Sequence, residues 1–242
     1  MQPITRHFKF SGRIAPDDRA HRVRVGAEVE AALGDVIPPT YVYIPGIGNV
    51  PQYAPTVAST NIAYNPAQDC NGYFMSYKFQ PNNNCYNYSC NIASNSFAQP
   101  GRQHGYPIPE PPTGSGVQTG AQKDGLIFVG TQISDLTKHA ATAANGHYVA
   151  LLISSADTTY GWPGDYHWVR SDDNTTFQSW SQKDGNDQVT NFDFAGNPIT
   201  NPASANWGVN QGPISQQNPD DLVVNYVFYA YMYVPWGQVS II

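Results

Sequence analysis

No run of apolar residues in this 242-residue chain approaches the roughly 20 that a helix needs to cross a bilayer. The opening MQPITRHFKF also lacks the apolar stretch of a secretory signal. The expectation is a soluble chain with no membrane span. It would act in the cytosol, leave by a route the sequence does not display, or have lost a signal beforehand. Charge is scarce too, at 12% of residues. Asn, Gln, Ser and Thr take its place and, with 21 glycines and 20 prolines, favour turns and caps over long helices. Cysteine is too rare for a disulfide framework. Cys70, Cys85 and Cys90 allow at most one pair and leave one thiol free; whether Cys70 and Cys90 pair stays open. There is no CxxC, HExxH, phosphate loop or dinucleotide fingerprint, so neither a metal nor a cofactor is expected.

What charge there is lies unevenly. Arg6, Lys9, Arg13, Arg19, Arg22 and Arg24 face only Asp17 and Asp18 in the first 24 residues. That head carries +4, and the overall −6 therefore leaves −10 on the remainder. An acidic body excludes wrapping around nucleic acid, which needs a basic footprint. Residues 1–25 read as a basic arm, either solvated or set against an anionic partner. Aromatics at 13%, with 16 tyrosines, place the chain among ordered proteins.

Along the chain, GAEVEAAL suggests a brief helix at 26–33, before Gly34. Residues 35–82 read as ordered loop with short extended pieces. The Asn run 82–84 can cap a helix over CYNYSCNIASNSFA, which carries Cys85, Tyr88 and Ile92 at helical spacing and ends before Pro100. Residues 100–122 read as a loop too polar to be core. LIFV (126–129) is a short strand, and SDLTKHAATAAN (134–145) a helix stopped by Gly146. The firmest strands are HYVALLIS (147–154), DYHWVRS (165–171), FQSWSQ (177–182) and a terminal strand at 222–235. Short connections predict antiparallel pairing. No repeat or linker divides the chain, so residues 1–242 read as a single domain. Its expected class is α+β, an antiparallel sheet packed with a cysteine-bearing helix.

Three residues stand in an order that suits nucleophilic chemistry. Cys85 opens a helix, where unpaired N–H groups and the positive end of the helix dipole favour thiolate. The same N–H groups could stabilise an oxyanion. His147 begins a buried strand and could act as base, and His167 on the next strand could orient it. His104 reads as a loop residue and His139 as solvated on its helix. Asp165 and Asp193 are available as polar helpers, with nothing to single them out.

NNNCYNYS, GHYVALLIS, DYHWVRS and KDGLIFVG together resemble the papain-like cysteine hydrolases of the NlpC-type and CHAP-type superfamily. The resemblance spans roughly residues 80–182 of the 242. It implies a catalytic core there, with Cys85, His147 and His167 as a Cys–His–His relay. It also implies a peptide or peptidoglycan-like substrate in cell walls. Gln80 lies closer to Cys85 than the oxyanion-donating Gln of papain-like proteases and reads as a loop residue.

Two functions remain open. One is a cysteine peptidase or amidase, in which the Cys85 thiolate attacks an amide carbonyl and His147 protonates the leaving amine. The other is a non-enzymatic β-rich binding or structural module, secreted or virion-associated. The abundance of Tyr, Asn, Gly and Ser, a composition typical of adaptable contact surfaces, supports the second.

Overall fold

The computed structural model describes Gly12 and residues 39–76, 78–213 and 220–242. The basic arm and the helix expected at 26–33 lie outside these residues. The strands run in chain order as β1 (Thr40–Ile44), β2 (Gly48–Gln52), β3 (Val57–Ala58), β4 (Ile92–Ala93), β5 (Ile127–Gly130) and β6 (Gly146–Ser154). They continue as β7 (Asp165–Ser171), β8 (Trp180–Lys183), β9 (Val189–Thr190), β10 (Gly208–Pro213), β11 (Asp221–Asn225) and β12 (Val227–Pro235). Six of them form one antiparallel sheet in the order β5-β12-β6-β7-β8-β9. The other six make three two-stranded ribbons.

The α+β, papain-like expectation is corrected here. The structure is mostly β, and its described residues hold three short α-helices: α1 (Cys85–Cys90), α2 (Gly114–Lys123) and α3 (Ile133–Ala140). The cysteine-bearing helix stops after six residues, eight short of the segment that suggested it. Asn91 turns left-handed at φ 53° and its N–H bonds to the carbonyls of Asn87 and Tyr88, a conformation Asn tolerates better than most residues. Conversely α2 forms within a stretch that reads as loop. Val117 and Ala121 bury one side of it, and a Cβ at Gly120 would stand 2.6 Å from the Pro100 carbonyl oxygen. Its glycines serve close packing rather than a turn.

Central strands β6 and β7 are buried on both faces; β6 is accordingly a near-continuous apolar run, whereas β7 buries Asp165, His167 and Arg170 among its apolar residues. The pleat divides their side chains between two cores. Val149, Leu151, Tyr166 and Trp168 pack with α1 and α2, while Tyr148, Ala150, Leu152 and Val169 pack with Leu136, Trp180, Trp207 and Tyr231. Ile153 is half-buried. The terminal strand expected at 222–235 is two strands, parted at Tyr226 and assigned to different sheets.

Arg170 on β7 is fully buried and holds three segments together. Its Nη2 donates to Tyr88 Oη on α1 at 2.7 Å, to Asp69 Oδ2 at 3.1 Å and to Asp172 Oδ1 at 3.3 Å. Nη1 donates to Asn91 Oδ1 at 3.3 Å. The guanidinium carbon sits 4.0 Å from the Tyr88 ring centroid, a desolvated cation–π contact. Ser181 on β8 closes the circuit, bonding Tyr88 Oη at 2.7 Å and donating to Asp172 Oδ1 at 2.8 Å.

Removing the cation would strand two buried carboxylates. Arg170→Met is therefore expected to cost about 3–5 kcal/mol, the usual loss when one partner of a buried pair is deleted. Adding Asp69→Asn and Asp172→Asn should restore part of it. Urea unfolding measures both, and a single-variant loss under about 1 kcal/mol, as for an exposed pair, would contradict the assignment.

Candidate functional site

Cys85 is the first residue of α1, and Asn84 caps that helix. Asn84 Oδ1 accepts from the N–H of Tyr86 and of Asn87 at 3.1 Å each, and Asn87 Oδ1 accepts in return from Asn84 N–H at 3.1 Å. This is a capping box made of two asparagines. It fulfils the expected capping by the Asn run, and it also consumes N–H groups an oxyanion would need. Cys85 itself is fully buried among Tyr86, Val149, Leu151 and Trp168. Desolvation, followed by the charge of Asp165, pushes its thiol well above the ordinary range. The local environment opposes the thiolate.

His147 is also fully buried, with both ring nitrogens engaged. Nε2–H donates to the Ser89 carbonyl at 2.6 Å, and Nδ1 accepts from Trp236 Nε1–H at 2.9 Å. It thus satisfies a carbonyl in the last turn of α1, whereas Cys85 lies in the first. Among the described residues no hydrogen bond joins Cys85 to His147. Burial lowers the His147 pKa to about 3, so the ring stays neutral.

His167 pairs with Leu152 across β6 and β7. Its neighbours Tyr166 and Trp168 lie on the α1 face, so His167 points to the other. There it packs against Phe194, Trp207 and Tyr226 at centroid distances of 5.4, 5.5 and 6.0 Å. Burial lowers its pKa also to about 3. The sheet stands between the two histidines, and His167 does not orient His147.

The remaining candidates are occupied in framework contacts. Gln80 Nε2 donates to the Asn186 carbonyl at 3.1 Å. His104 Nε2 lies 3.7 Å from Asp124 Oδ1, and His139 Nδ1 bonds Tyr148 Oη at 2.9 Å. Asp165 Oδ2 accepts from Tyr226 Oη at 2.9 Å. Asp193 accepts from the backbone N–H of Ala195, Asn197 and Asn206. Among the described residues no group of three His, Cys, Asp or Glu could hold a metal. None of their helices is long and apolar enough to cross a membrane. A cleft of about 510 Å³ beside Trp236 is walled by Ser59, Thr60, Cys90, Ile92 and Val234; Cys85 and both histidines are absent from it.

Sequence reasoning missed the Arg170 cluster and Asp124, which is buried and accepts from Tyr86 Oη at 2.8 Å and Gly101 N–H at 2.7 Å. The signal for Arg170 was its place in a central strand, where both faces are dry and a charge requires partners.

No family model matches the chain, and no solved structure matches it. A relative does. Insoluble matrix shell protein 1 of Ruditapes philippinarum is 38% identical over 130 residues, which cover 53% of this chain and 74% of that protein. The chain belongs to the family of insoluble matrix shell protein 1. That membership, with the β-rich architecture, corrects the description as an NlpC-like, papain-fold, cell-wall hydrolase. Cys85, His147 and His167 are each fully buried, and the two histidines lie on opposite faces of the sheet.

A titration checks this. The unfolded histidine takes its proton near about 6.5, the folded His147 only near 3. Stability owed to neutral His147 is therefore complete above that ordinary value and declines as pH falls toward 3. NMR should show His147 as the Nε2–H tautomer with no titration between pH 5 and 8, and brief iodoacetamide treatment of the native chain should leave Cys85 unlabelled. A His147 midpoint near neutrality, or rapid Cys85 labelling, would contradict the framework reading.

Proposed function

We propose that the chain is a non-catalytic structural component of an insoluble matrix. The observation that carries this reading is the 38% identity to a protein named for the insoluble matrix of a shell. The interior supports it. Its thiols are buried, His147 and His167 sit on opposite faces of one sheet, and many of its polar side chains are spent on caps and turns. A hydrolase needs a reachable nucleophile beside a base.

Deposition in the matrix can be followed directly. An antibody to the chain, applied to sequential extracts of the source material, should find it in the residue that resists salt, chelator and detergent. Recovery chiefly in the first salt extract would contradict the proposal, and so would hydrolysis of peptide substrates by the purified chain that is lost in Cys85→Ala.

A further inference from the structure

All three cysteines of this chain are free and buried, and no disulfide is formed among them. Its tyrosines are distributed otherwise. Tyr86, Tyr88, Tyr166 and Tyr231 are fully buried, whereas Tyr41 and Tyr43 are 65% and 69% exposed, the most exposed aromatic side chains described. They lie two residues apart on β1, so the pleat sets both rings on one face. Among the described residues neither phenol has a hydrogen bond or a ring contact.

The hairpin holds these rings outward. Its other face buries Ile44 and Val50 with Ile242, and Val42 and Ile47 pack against them. Tyr41 stands opposite Pro51 and Tyr43 opposite Asn49, and no charged residue occurs anywhere in 40–52. Like-charge repulsion therefore does not guard this face. Among the described residues β1 and β2 pair only with each other.

We infer that Tyr41 and Tyr43 form an oxidative cross-linking site at which copies of this chain are bonded ring to ring. This rests on the matrix reading and deepens it by naming the partner, a second copy, and the bond. The oxidant is hydrogen peroxide acting through a heme peroxidase. Each of two phenols loses one electron and its phenolic proton. The two radicals join at ring carbons ortho to oxygen, forming one C–C bond, and the two displaced ring hydrogens return to the oxygens. Overall two tyrosines and one hydrogen peroxide give one dityrosine and two waters. Two adjacent rings let each copy bond two neighbours, so coupling extends beyond dimers.

The full chain treated with a heme peroxidase and hydrogen peroxide tests the site. Denaturing gels should show multimers larger than dimers, and peptide mapping should place dityrosine at Tyr41 and Tyr43. Tyr41→Phe with Tyr43→Phe should lose most of the dityrosine while keeping the wild-type melting curve. Tyr43→Phe alone should stop chiefly at dimers, and Tyr160→Phe with Tyr229→Phe should behave as wild type. Wild-type coupling in the Tyr41/Tyr43 double variant overturns the site, as does a map centred on Tyr64, Tyr160 or Tyr229, or an exclusively intrachain Tyr41–Tyr43 bond. The two proposals fail separately. Coupling at these residues in a chain that salt extracts from its source leaves the site and sinks the matrix role; an unextractable chain whose double variant couples normally does the reverse.

Discussion

Arg170 carries a charge into a region without water, and the fold must supply everything that water would have supplied. An ion taken into a low-dielectric interior loses several kcal/mol of solvation unless hydrogen bonds and opposite charges replace it. Asp69, Tyr88, Asn91 and Asp172 provide that replacement, with Ser181 behind them. These residues come from the turn at 69–72, from α1 and its C-cap, from the residue just after β7, and from β8. Their common need for one guanidinium fixes how a six-residue helix too short to be stable alone sits on the sheet. Desolvation raises the pKa of both Asp69 and Asp172 against the attraction of Arg170, so the cluster is held by geometry as much as by charge.

The same demand for internal partners explains the asparagines. Asn83, Asn84, Asn87, Asn91 and Asn95 are all fully buried. Asn83 donates its Nδ2 to Asn95 Oδ1 and accepts at Oδ1 from the Asn95 N–H, Asn87 spans to Ile92, Ser94 and Ala98, and Asn91 reaches Ser59 and Asn61. Side-chain amides thereby do for irregular backbone what ladders do for strands. His147 belongs to this economy, since its Nε2–H closes the end of α1. A residue that reads as a base in sequence order is a cap in space.

Much of the sheet was legible because β6 and β7 carry long β-branched and aromatic runs with short connections, and the Asn84 cap was legible from the run itself. The extent of α1 was not, because apolar spacing continues past the point where Asn91 turns left-handed. Nor was α2, whose glycines resemble loop composition until the close approach to Pro100 is seen. The placement of the two histidines was not legible for a definite reason. Order along the chain says that His147 and His167 lie on successive strands, but which face each takes depends on register. The pairing of Leu152 with His167 is set by tertiary packing and sends the two rings apart. The exposed pair at Tyr41 and Tyr43 was not legible, because residues 35–82 read as loop with only short extended pieces.

We propose that Cys85 serves the interior and not a reaction. The most direct measurement is to express Cys85→Ala in the producing tissue beside the wild type and quantify both in the extraction-resistant matrix. The account predicts equal incorporation and an unaltered matrix, because a small buried side chain replaces a small buried side chain. A folded Cys85→Ala chain that is secreted normally yet fails to enter the matrix, or leaves it malformed, would contradict it.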